Sequence, residues 1–147
     1  YDPSKAVNLG TNRWSIKPEI GVSKALGHVT PEASAAATAY TANGDFLGGK
    51  MLKQKPLYSI QAHVIYEFQP WLWAALDATY YTGGDTTLNG IAGNDRQNNT
   101  RWGATLAYSL DRQNSIKGYY SSGLSARVGT EFQIVGLAWQ YRWGAGL

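Results

Sequence analysis

Counting back from the C-terminal residue in steps of two, Leu147, Ala145, Trp143, Tyr141, Trp139, Leu137 and Val135 are apolar or aromatic. Between them lie Gly146, Gly144, Arg142, Gln140, Ala138 and Gly136, which are small or polar. Alternation with period two marks a strand that shows a different chemistry on each side. The same pattern recurs upstream. It predicts strands over Trp14 to Leu26, Val29 to Thr41, Leu57 to Phe68, Trp71 to Tyr81, Thr100 to Leu110 and a shorter one over Ser115 to Ser121, seven in all with the last. Pro18 removes a ladder donor and predicts a bulge or weak pairing in the first of them. The alanine-rich second strand has the poorest apolar face.

The connections alternate in length. Gly27 with His28, Gln69 with Pro70, and Asp111 to Asn114 are short turns. Ala42 to Pro56, Thr82 to Asn99 and Ser122 to Glu131 are long and polar, and Tyr1 to Arg13 reads as loop. Alternating short turns and long loops, with strands of about 10 residues or more, fit an antiparallel up-and-down transmembrane β-barrel. In such a barrel the apolar face meets lipid and the polar face meets the lumen.

Aromatic placement points the same way. Trp14, Tyr40, Tyr58, Tyr80, Trp102 and Tyr120 fall near the long-loop end. Phe68, Trp71, Tyr108, Tyr141 and Trp143 fall near the short-turn end. Two belts at headgroup level are expected of a membrane-crossing chain, and Trp139 extends the lower one. A soluble lipocalin-like barrel, with its apolar faces inside, has no need of them.

Composition changes little. The chain has 147 residues, enough for the single domain expected over 1–147, with Trp 6, Tyr 10 and Cys 0, so neither disulfides nor thiolate metal sites enter. Its mean hydropathy is −0.33, as half-polar strands require. A net charge of +3 is that of solvated loops and paired lumen charges rather than of a nucleic-acid binder. No basic start followed by an apolar run precedes the chain at Tyr1, so it is expected to be processed or partial.

The predicted lumen face carries Lys17, Glu19, Glu32, Gln61, His63, Glu67, Trp73, Asp77, Tyr81, Arg101, Lys117, Tyr119, Gln140 and Arg142. Four acids balance four bases, and the expectation is that they pair into a network stiffening a narrow lumen, or form a polar constriction. The girdle face carries Trp14, Tyr58, Tyr80, Trp102, Tyr108, Trp139, Tyr141 and Trp143. His63 and Glu67, four residues apart on one face, stand about 13 Å apart along the strand, too far to pair. No G-x-S-x-G elbow accompanies them, and His28 lies too far from His63 for a shared metal. The acids and amides of Gly83 to Asn99 lack calcium-loop spacing. No catalytic residue, cofactor or metal is expected.

Asn8 to Gly27 (NLGTNRWSIKPEIGVSKALG), Pro56 to Phe68 (PLYSIQAHVIYEF), Leu72 to Gly90 (LWAALDATYYTGGDTTLNG), Asn94 to Gly129 and Val135 to Gly144 (VGLAWQYRWG) resemble, in order and spacing, the outer-membrane proteins grouped under "MetA-pathway of phenol degradation". The resemblance spans almost the whole chain. It implies a Gram-negative outer-membrane β-barrel that passes small hydrophobic or aromatic compounds. Members are longer, so this chain resembles the C-terminal part of one. Pro31 and Ala35 to Ala37 depart from the bulkier residues expected there. The resemblance supplies no catalytic motif.

The expectation is therefore seven strands of an outer-membrane barrel, completed by further N-terminal strands because single-chain bacterial barrels close with an even number. Its partners would be outer-membrane lipid and small solutes, with no nucleic acid. Its function would be passive diffusion through the lumen, gated by the loops at 42–56 and 82–99. A plugged structural or adhesive barrel is the first alternative, and an outer-membrane hydrolase using His63 is the second.

Overall fold

In the computed structural model, residues 1–5, 8–128 and 132–144 are described. The outermost alternation positions Ala145, Gly146 and Leu147, and the end of the third long loop, lie outside them. Every regular element is a strand: β1 (Ser15–Ile16), β2 (Glu19–Ser23), β3 (Val29–Tyr40), β4 (Asn43–Phe46), β5 (Lys50–Gln54), β6 (Leu57–Gln69), β7 (Leu72–Gly83), β8 (Thr86–Leu88), β9 (Ile91–Ala92), β10 (Gln97–Ser109), β11 (Asn114–Ser125) and β12 (Gln133–Tyr141).

The large sheet is antiparallel throughout and runs β1/β2, β3, β6, β7, β10, β11, β12, each strand beside its sequence neighbour. β1 and β2 form one crossing. Ser15 pairs Tyr40, and Glu19 pairs Ala36 in the same register. Pro18 interrupts them without shifting that register, because its carbonyl still accepts from the Ala37 N–H (3.2 Å) and only the donor is missing. Of the expected bulge or weak pairing, the structure shows the weak pairing, a single lost hydrogen bond. The alanine-rich β3 forms at full length, held on both sides by β2 and β6. The sheet does not close. One side of β12 and one side of the β1/β2 crossing are unpaired among the described residues.

Burial shows which face is inside. Along β6, Tyr58, Ile60, Ala62 and Val64 are exposed, while Ser59, Gln61, His63 and Ile65 between them are part-covered. Thr79, Gly103, Ala107 and Ser115, the buried positions of the seven crossings short of the rim, all lie on the polar face. Ala107 is the one buried apolar side chain among the described residues, whereas Trp14, Ile20, Leu137 and Trp143 are each about four-fifths exposed (84%, 78%, 80% and 81%). Water would not tolerate such a face over seven strands, but lipid requires it.

Two sequence expectations change. The strand expected to end at Ser121 continues to Ser125, so Ser122 to Ser125 are strand rather than loop. The two long loops also carry structure. β4, β5, β8 and β9 join as a second, four-stranded sheet, with Leu52, Lys53 and Gln54 of one loop pairing Leu88, Thr87 and Thr86 of the next. Asn43, buried, ties this cap to the N-terminal segment. Its amide donates to the Tyr1 hydroxyl (2.9 Å) and the Thr11 carbonyl (3.1 Å), and its oxygen accepts from Asn12 (3.2 Å) and the Asp45 N–H (2.9 Å). Asp95 accepts from both the N–H and the hydroxyl of Thr86, at 2.9 and 2.5 Å. Partial burial raises the Asp95 pKa, but these hydrogen bonds outweigh it and hold the carboxyl below its ordinary value. The clasp therefore stays charged at neutral pH and is lost only as the pH falls through that lowered value.

Candidate functional site

The candidate site is the inner wall of the large sheet. Register fixes it, since directly paired residues share a face. One row reads Ser23, Glu32, His63, Asp77, Gly103, Ser121 and Ile134 from strand to strand. The next row toward the cap reads Gly21, Ser34, Gln61, Thr79, Arg101 and Gly123. Toward the short turns, Glu67, Trp73, Ala107, Lys117 and Ala138 form another. Tyr81 pairs Ser59 and Asn99, Tyr119 pairs Thr105 and Gly136, and Gln140 pairs Ser115, all on the same side. Lys17 and Arg142 continue that side just beyond their strands.

The girdle residues lie on the opposite face. Trp102 meets Tyr120 edge-on at 5.4 Å near the cap, and Trp71 meets Tyr108 edge-on at 5.3 Å near the turns. Trp139, Tyr141 and Trp143 follow one another at 6.3 Å spacings, with the Trp139 indole N–H donating to Asn114. Tyr40 departs from the expected outer belt. It pairs Ser15 on the inner face, where the Arg13 guanidinium lies 4.5 Å from its ring centroid.

The expected network of paired charges does not form among the described residues. Of the eight charged wall residues only Lys17 and Glu19 pair, at 2.9 Å. Glu32 instead accepts from the Ser23 hydroxyl at 3.0 Å. Lys117 stands 5.5 Å from the centre of the Trp73 ring. Arg101 lies 4.1 Å from the centre of Phe132 and donates to the Ser121 hydroxyl at 3.1 Å. Apart from Lys17, which is paired with Glu19, the charges are sorted rather than interspersed. Glu19, Glu32, Glu67 and Asp77 stand on β2, β3, β6 and β7, whereas Arg101 and Lys117 stand on β10 and β11, with Arg142 just beyond β12.

Two close packings shape the wall. The Asp77 carboxylate leans over Gly103, 2.6 Å from where a Cβ would stand, and the Tyr119 ring covers Gly136. Glu32 and Asp77 flank His63 on the neighbouring strands, a grouping invisible in one dimension. His63 and Glu67 do not meet, and no group of three or more His, Cys, Asp or Glu suited to a metal exists among the described residues.

Phe132, Ile134 and Leu57 were not among the predicted wall residues. All three line a cavity of about 610 Å³ on the inner side near the cap, with Tyr81, Arg101 and Ser121. Alternation in the last strand does place Ile134 inside, whereas Phe132 precedes β12 and carries no periodic signal.

Comparison with known proteins follows this geometry. The structure matches that of an outer membrane channel from Pseudomonas putida F1, the COG4313 channel, with a TM-score of 0.86 at 24% identity. The match covers 96% of this chain and 53% of that one, so the chain spans about half the length of the channel. No curated protein sequence matches. The family model described as "Putative MetA-pathway of phenol degradation" matches residues 1–141. Extending over nearly all of a chain whose strands, turns and faces follow the barrel pattern, that match shows that the chain belongs to this family.

Proposed function

We propose that this chain forms part of the wall of a bacterial outer-membrane channel, through which small molecules, hydrophobic or aromatic ones among them, pass by diffusion. The observation that carries this reading is the inverted polarity of the sheet. Its apolar face is exposed from strand to strand, and the buried positions of the central crossings fall on the face that carries the charges. Likeness to an outer membrane channel supports it, and so does membership of a family named for phenol degradation. Outer-membrane lipid surrounds the girdles, and further strands of the same barrel complete the sheet, since open edges in lipid cost several kcal/mol for each unpaired group. The wall residues named above line the pathway. The joined loops act as a fixed cap around its mouth rather than as separate flaps.

The test is to purify the full-length protein in detergent, run it with and without boiling, and reconstitute it for conductance. A heat-modifiable band with single-channel conductance is expected. A heat-modifiable band without conductance would move the reading to a plugged barrel whose cap does the binding. Solubility without detergent and no heat shift would overturn the membrane reading.

A further inference from the structure

The cavity at Arg101 has a chemistry more specific than that of a general polar lumen. Its described lining combines one cation with apolar and aromatic walls from Leu57, Tyr81, Phe132 and Ile134, and neutral polar groups such as Ser121. No carboxylate is among these residues. Asp77 is two positions along the register from Arg101's partner Thr79, but it leans over Gly103 and makes no ion pair with Arg101.

The guanidinium is held in place before any solute arrives. Its carbon lies over the Phe132 ring, 4.1 Å from the centroid, and one terminal N–H is committed to Ser121. A guanidinium held over a ring still has in-plane donors to offer, the geometry that grips a carboxylate with two parallel hydrogen bonds. The surrounding rings suit a flat apolar body through face and edge contacts. At about 610 Å³ the space lies within the range of small-molecule sites and holds a single-ring solute with room for water.

We infer that this cavity, formed by Arg101, Phe132, Tyr81, Leu57 and Ile134, is a binding station for aromatic monocarboxylates. The inference rests on the channel reading and names the solute class for it. The carboxylate lies along the Arg101 edge and the ring against Tyr81 and the apolar wall. Sorting of the wall charges reinforces the preference. With the carboxylates on β2, β3, β6 and β7, where Lys17 offsets only Glu19, and the other wall cations on β10 and β11 and beyond β12, an anion is drawn to one side of the lumen and repelled from the other.

The test uses the full-length protein in planar bilayers with benzoate as probe. Benzyl alcohol and benzylamine serve as its neutral and cationic counterparts. Benzoate is expected to reduce the conductance saturably, and benzyl alcohol to need about tenfold more for the same effect, as loss of a charge-assisted bidentate contact implies. Benzylamine should have no saturable effect. Arg101→Gln should raise the half-effect concentration of benzoate about tenfold, and Arg101→Lys should fall between. Phe132→Ala, which leaves the charge in place, should weaken benzoate severalfold and serves if Arg101→Gln does not fold. Val22→Ala, on the lipid face, should change nothing.

Equal potency of benzoate and benzyl alcohol, or an unchanged benzoate response in Arg101→Gln, would overturn the proposal. Calorimetry of benzoate with the detergent-folded barrel separates the two readings. Binding without conductance would keep the site and remove the channel, whereas conductance with no benzoate effect would keep the channel and remove the site.

Discussion

At the scale of single residues, glycines on the inner wall mark where a neighbour's side chain lies flat. Tyr119 lies over Gly136, so closely that an added Cβ would fall inside the ring's contact radius, while nothing lies within 4 Å of a Cβ added at Gly118. Gly136→Ala should therefore push Tyr119 off the wall and cost about 1–3 kcal/mol, the usual penalty of overpacking. Gly118→Ala, on the lipid face, should be neutral or slightly stabilising. Urea midpoints of the two variants folded into lipid vesicles would show the difference, and equal midpoints would refute it. The sequence placed Gly136 on the polar face and Tyr119 in the lumen. What it lacked was the register that sets residue 119 opposite residue 136, because strand pairing is a tertiary fact. The same limit hid Glu32 and Asp77 on either side of His63.

At the scale of elements, the long crossings were legible because each offers 9 to 13 residues of alternation. The cap was not. Its strands run two to five residues, too few to display a period, and its central ladder joins residues from separate loops. Loop composition, rich in Gly and Asn, also reads as turn whatever the chain does there. The interior end of β11 was missed for a related reason, since Ser122 and Gly123 give no apolar beat. Because buried Asn43 links the N-terminal segment to β4 through four hydrogen bonds, beside the single bonds of Tyr1 to Asp45 and of Gly48 to Pro3, Asn43→Ala should loosen the cap by about 1–3 kcal/mol, the cost of stranded polar partners. Limited proteolysis should then cut faster near 1–13 and 43–49, while the heat shift of the barrel on a gel stays unchanged. Unaltered cleavage would mean that the β5–β8 ladder and the remaining bonds to the N-terminal segment hold the cap without Asn43.

At the scale of the whole molecule, the inside-out arrangement was legible in the alternation, the loop lengths and the two aromatic belts. The distribution of charge was misjudged. Equal numbers of acids and bases suggested pairing, yet beyond Lys17 and its partner Glu19 their order along the chain, acids to Asp77 and then bases from Arg101 to Arg142, becomes separation once consecutive strands lie side by side. In an up-and-down sheet, distance in sequence is distance around the circumference, so blocks of charge become sectors of the wall. The polarity of the outer face gives a direct test. Leu76→Arg, at a 62% exposed lipid-face position, should destabilise the vesicle-folded barrel by about 2–4 kcal/mol if it sits near the midplane. Gln61→Arg, one strand away on the inner face, should cost under about 1 kcal/mol. Equal costs would mean that the two faces meet the same solvent.

The two-residue repeat also governs how the chain looks before it folds. A protein bound for the outer membrane must first cross an inner one, whose insertion machinery retains segments of about 20 consecutive apolar residues. Here small or polar residues interrupt the apolar ones every few positions along the crossings, and among the described residues no helix is long and apolar enough to cross a membrane. The extended chain therefore carries its lipid-seeking surface in a divided form, invisible to a reader of continuous hydrophobicity. Only when the strands pair does that surface become continuous. Secondary structure thus acts as an address label, legible in the destination membrane and blank in transit.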